Sequence, residues 1–194
     1  MSHMEKNKFV RTFICIELPR EIRDRIDALQ DRLKRVGADV SWVRSGNIHL
    51  TLKFLGDVPP AKIRGICSVV ENAVQGEGVF SVEVGGTGCF PSVRNPRVLW
   101  VGVGSATEAL KHLQTSIEKG LEAIGCAREP RQFSPHLTLG RVKSQRNARR
   151  LVEALTEEGF AKLSFQAGEI VVMRSDLKST GAAYTPLATI LLQS

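Results

Sequence analysis

The chemistry-bearing residues of this chain fall in two identical tetrapeptides, His49-Leu50-Thr51-Leu52 and His136-Leu137-Thr138-Leu139. Each sits in an apolar stretch that reads as a strand. Side chains alternate across a strand, so in each copy His and Thr share one face and the two leucines the other. The leucine faces belong against helices in a core, which leaves the His-Thr faces to meet solvent or each other. Chance likeness between apolar strands explains repeated Leu, but not repeated His and Thr at the same offsets. Histidine titrates near neutral pH, so one imidazole can accept a proton while its partner donates one. That combination suits in-line displacement at phosphorus, one ring activating water and the other protonating the departing oxygen. The threonine hydroxyls then offer hydrogen bonds to the non-bridging oxygens as charge builds there.

A metal site is the rival use of such residues. Zinc takes three or four N, S or O ligands, often as closely spaced His or clustered Cys and His. Here threonine stands where a second ligand is wanted, and neither motif contains Asp or Glu. The expectation is therefore phosphate chemistry with neither metal nor cofactor. His112, in a helical segment with no such context, reads as surface or structural. His3 belongs to Ser2-His3-Met4, where residues 1–4 read as a cloning remnant, and it stays outside the chemistry.

The remaining composition sets bounds. A length of 194 residues suits one domain, or two small lobes on a shared core; no linker separates independent domains, so residues 5–194 are expected to form a single domain. The chain is 42% hydrophobic and 24% charged, as in ordinary globular proteins. No apolar run approaches the roughly 18 residues that cross a membrane. The polar start (Glu5, Lys6, Asn7, Lys8) lacks the apolar core of a secretion signal, so a cytoplasmic location and no membrane contact are expected. Four cysteines without a C-x-x-C pair are expected to be reduced thiols, with Cys15 and Cys67 buried in apolar segments. A net charge of +7 favours an anionic partner without saying what chemistry it undergoes.

The elements that must carry the motifs follow from periodicity. Strands are predicted at Phe9–Leu18, around Trp42, and at Ile48–Leu55, the last stopping at Gly56-Asp57. Helices begin at Pro19 and Pro59. The first has an apolar face of Ile22, Ile26, Leu29, Leu33 and Val36, with Gly37 as its cap; the second has Ile63, Ile66, Val70 and Val74. Strands at 79–84 and 98–103 flank a loop, GGTGCFPSVRNP. A helix over about 106–124, the His136–Val142 strand, a helix over about 148–158 and strands over about 163–173 and 183–191 complete the order. Consecutive strands without intervening helices indicate α+β with mainly antiparallel sheets. Trp42 and Trp100 read as core.

These flanks carry a resemblance. R-T-F-I-C-I-E-L-P, W-V-R-S-G-N-I-H-L-T-L-K-F-L-G-D-V, P-R-V-L-W-V-G-V, F-S-P-H-L-T-L-G-R-V and S-D-L-K-S-T-G-A-A-Y resemble the 2H phosphoesterases. The likeness runs from Phe9 to Leu192 and is close to the RNA 2′,3′-cyclic phosphodiesterases, also called 2′-5′ RNA ligases. It implies two pseudo-twofold related lobes of mainly antiparallel sheet with outer helices and an active cleft between them. It also implies metal-independent hydrolysis of RNA 2′,3′-cyclic phosphate ends to 2′-phosphomonoesters. By that likeness His49 is the proton donor to O3′, His136 the acceptor that activates water, and Thr51 and Thr138 bind phosphate. One departure is Ser45-Gly46 where the family often has Pro, expected to alter only the loop entering the strand.

Basic and aromatic residues near the motifs leave alternatives open. Arg141 lies at an odd offset from His136, so a regular strand points it away; a bulge at Gly140 would swing it back to the phosphate, as the resemblance favours. Lys53 shares parity with His49 and Thr51 and suits either the cleft rim or solvent. Arg146, Arg149 and Arg150, with Lys143, form either an RNA backbone track or a solvated face. Phe90 either stacks a base or packs its loop against the sheet, and Phe133 is read as core with stacking also open. Besides RNA with a cyclic phosphate end, a 2′-5′ oligoadenylate or small cyclic nucleotide is a possible substrate, and a non-catalytic nucleotide- or RNA-binding module is the alternative class. A monomer is expected.

Overall fold

The computed structural model describes residues 8–104, 108–179 and 181–193. The presumed cloning remnant and the predicted helix start at Ala106 lie outside the described residues. In chain order the elements are β1 (Val10–Glu17), α1 (Arg20–Lys34), β2 (Val40–Trp42), β3 (His49–Val58), α2 (Pro60–Ala73), β4 (Phe80–Ser92), β5 (Asn95–Val103), α3 (Glu108–Ala123), β6 (His136–Val142), α4 (Ala148–Glu158), β7 (Leu163–Ala167), β8 (Glu169–Lys178) and β9 (Gly181–Leu191).

Two sheets form, ordered β3-β1-β8-β9 and β2-β6-β5-β4-β7, and every pairing between these strands is antiparallel. Without the short β2, the two orders match: a His-Thr strand at one end, then three more strands. This is the α+β, two-lobed arrangement expected. The lobes also exchange strands. β2, from the first half of the chain, pairs with β6, while the C-terminal β8 and β9 complete the sheet of β1 and β3.

The predicted 163–173 strand is in fact two strands broken at Gly168. β7 pairs with β4 in one sheet, and β8 pairs with β1 in the other. The apolar pattern runs through the break and hides the change of partner.

The GGTGCFPSVRNP stretch is likewise not a loop. It forms the outer part of the β4–β5 hairpin, with a register shift between Val84 and Thr87. Its glycines make room for a packed indole: a Cβ on Gly88 would lie 2.3 Å from the Trp100 ring.

The helices bury the faces their periodicity predicts. Ile22, Ile26, Leu29 and Leu33 of α1 are buried, as are Leu110, Leu113, Ile117 and Leu121 of α3. They meet Leu50, Leu52, Leu137 and Leu139, all at 3% exposure or less, in one cluster that joins both lobes. The leucine faces of both motifs are thus fixed in the core, which obliges the His-Thr faces to point outward. Gly37 takes the left-handed conformation, φ +68°, expected of a helix stop. Cys15 and Cys89 are buried, whereas Cys67 and Cys126 are half-buried, and all four are free. Among the described residues no helix is long and apolar enough to cross a membrane.

Candidate active site

Both motif strands break register at the same place. Along β3, Cys15 stands opposite Thr51 and Ile14 opposite Lys53, so Leu52 is an extra residue. Along β6, Trp100 stands opposite Thr138 and Leu99 opposite Gly140, so Leu139 is extra. Such a bulge inverts the alternation beyond it. Lys53 and Gly140 therefore turn inward and are buried, while Phe54 and Arg141 return to the His-Thr face. Both line a cavity of about 460 Å³ together with His49, Thr51 and Thr138. The alternative in which Arg141 reaches the site is the one realised. His136, two residues before Thr138 on the same face, flanks this cavity rather than lining it.

Lys53 sits at neither of its expected places. It is 5% exposed, and its ammonium lies 2.6 Å from Glu118 and 2.9 Å from the Ala127 carbonyl. Glu118 also accepts the Glu129 backbone N–H at 2.7 Å. The lysine thus ties β3 and α3 to the segment that leads into His136.

The two imidazoles are held alike. His49 Nδ1 is 2.8 Å from the Asn47 carbonyl and His136 Nδ1 is 2.7 Å from the Ser134 carbonyl. A carbonyl only accepts, so each Nδ1 carries hydrogen and each Nε2 is left for chemistry. The Asn47 side chain in turn donates to the Ala182 carbonyl at 2.7 Å, which anchors the Ser45–Asn47 turn to β9.

Their surroundings differ. The His49 ring stacks on Phe13 at 4.5 Å and meets the edge of Tyr184 at 5.4 Å. Burial among these rings pushes its pKa down to about 4 from 6.5, partly opposed by the bond to Asn47. The His136 ring instead lies edge-on to Phe90 at 5.0 Å, and Phe90 packs on Trp100 at 5.3 Å.

The other expected contacts do not converge on the cavity. Phe133 packs against the core and borders a separate depression beside Arg131. Arg146, Arg149 and Arg150 are exposed outside the cleft, and Arg149 pairs with Glu153 at 3.0 Å. His112 is on the surface against Glu77, as expected of it. Trp42, read as core, is half-buried and lines the cavity because β2 runs beside β6. Sequence reasoning also missed Phe13, Phe54 and Tyr184. For Phe54 the signal was present: it holds the same offset from its motif as Arg141 does.

A family model described as LigT like phosphoesterase matches the chain twice, over residues 16–100 and 101–184. The RNA 2′,3′-cyclic phosphodiesterase of Methanothermobacter thermautotrophicus is 37% identical over 184 residues, covering 94% of this chain and 99% of the relative. That of Thermotoga maritima is 33% identical, covering 92% and 93%. The crystal structure of E. coli LigT complexed with 3′-AMP superposes with a TM-score of 0.81 at 26% identity, covering 96% of this chain and 99% of that one. The doubled family match coincides with the doubled motif and the paired sheets, and the chain belongs to the LigT-like family of 2H phosphoesterases.

Proposed function

We propose that this protein is an RNA 2′,3′-cyclic phosphodiesterase whose two histidines open the cyclic end to a 2′-phosphomonoester. The observation that carries the reading is the matched pair of imidazoles, each fixed through Nδ1 to a carbonyl two residues upstream, on strands whose threonines share one cleft. The relatives' names support RNA as the substrate class.

In this mechanism His136 Nε2 takes a proton from water as its oxygen attacks phosphorus. The P–O3′ bond breaks, and O3′ receives the proton of His49 Nε2. Thr51, Thr138 and Arg141 hold the non-bridging oxygens, the arginine fork matching phosphate geometry. Each proton transfer contributes roughly 10²–10⁴ in rate.

His49 is neutral at pH 7 in the free protein, because its pKa is about 4. As the donor it gains its proton when the anionic phosphate arrives beside it, since a nearby negative charge favours the charged form. A 5′-hydroxyl entering in place of water would form P–O5′ while the 2′ ester persists, giving a 2′-5′ linkage by the same steps. The donor set around the rings is hydroxyl, guanidinium and aromatic, which are poor metal ligands.

The test is turnover of a nucleoside 2′,3′-cyclic phosphate in excess chelator, followed by phosphorus NMR. Hydrolysis to the 2′-phosphate alone is expected. A 3′-phosphate product, or activity that requires added metal, would overturn the mechanism.

A further inference from the structure

The cleft holds more positive charge than a cyclic phosphate needs. Arg11, Arg44 and Arg141 line it, and no carboxylate does among the described residues. A cyclic phosphodiester carries one negative charge, which Thr51, Thr138 and Arg141 already serve. Arg11 comes from β1 and sits over the Phe54 ring, its guanidinium carbon 4.6 Å from the centroid. Its cross-strand neighbour is Asp57, yet Arg11 forms no ion pair among the described residues.

Phe54 is 49% exposed and lines the cleft. It returns to the cleft face only because of the Leu52 bulge, and its partner Phe13 is two residues along β1 from Thr51's partner Cys15, or roughly 7 Å along the strand. That is the scale of a nucleotide step. A cation and an exposed ring side by side are the two groups that single-stranded nucleic acid recognition uses, one for the phosphate and one for the base.

Resting on the cyclic phosphodiesterase reading, we infer that Arg11 and Phe54 form a second nucleotide subsite. Arg11 binds the phosphodiester on the 5′ side of the cyclised nucleotide, and Phe54 stacks the base that precedes it. The preferred substrate class is then an oligonucleotide end rather than a mononucleotide, and the specificity is for chain, not for sequence.

Three substrates separate the parts: a nucleoside 2′,3′-cyclic phosphate, the same compound with a 5′-phosphate, and a dinucleotide ending in the cyclic phosphate. In the wild type, kcat/KM should rise about tenfold from the first to the second, the scale of one charge-assisted contact. It should rise about tenfold again to the third through stacking. Arg11→Gln should collapse the first ratio and Arg11→Lys should restore part of it, while Phe54→Leu should collapse only the second. Because the readouts are ratios within one preparation, partial unfolding of a variant does not mimic them. Equal kcat/KM on all three substrates, or ratios that survive Arg11→Gln and Phe54→Leu, would overturn the subsite while leaving the hydrolase reading intact. Absence of wild-type hydrolysis on every substrate would overturn that reading and the subsite with it.

Discussion

His49 is a half-buried, neutral imidazole at rest, and that state has consequences for stability. In the folded chain it protonates near pH 4, whereas in the unfolded chain it does so near 6.5. The folded state is thus favoured fully above pH 6.5 and loses this advantage as pH falls toward 4, by about 3 kcal/mol over the window. Urea unfolding at pH 7 and pH 4.5 should show the loss, and His49→Gln should remove that part of it. An unchanged pH dependence in His49→Gln would contradict the desolvated neutral ring. The His-Thr face itself was legible in the sequence, because a two-residue period assigns faces without any knowledge of neighbours. Phe13 and Tyr184, which desolvate His49, were not. They come from strands far away in sequence and look there like any other apolar strand residue.

At the scale of elements, the bulges decide which side chains reach the cleft. Alternation alone sends Lys53 to the site and Arg141 away from it, and the observed strands do the reverse in both cases. In β6 Gly140 is a signal for the extra residue, but nothing in β3 announces it; alignment of H-L-T-L-K-F with H-L-T-L-G-R shows Phe54 and Arg141 as counterparts. Gly140 fits the second bulge because a Cβ there would lie 2.7 Å from Val40.

The buried Lys53–Glu118 pair is the first lobe's hold on the segment before His136. Lys53→Met leaves Glu118 buried without its cation and should cost about 3–5 kcal/mol. The double variant Lys53→Met with Glu118→Gln should recover much of that loss. Equal destabilisation by the single and double variants would show that the ion pair is not what holds these elements together.

For the whole molecule, the family resemblance implied two lobes, and two sheets with matching strand orders are what form. Their interlacing was hidden from the sequence. β2 crosses one way and β8 and β9 the other, with Gly168 as an unmarked crossing point inside a continuous apolar pattern. One core cluster spans both lobes, so neither His-Thr face is positioned by its own half of the chain alone.

In the proposed mechanism the two histidines are one catalytic unit, in which acid and base act in the same displacement. The most direct test is kcat on a cyclic phosphate end for His49→Ala, His136→Ala and the double variant. Each single change should lower kcat by roughly 10²–10⁴, and the double variant should fall little further than the worse single one. Near wild-type turnover in either single variant, or losses that multiply in the double, would contradict a concerted pair.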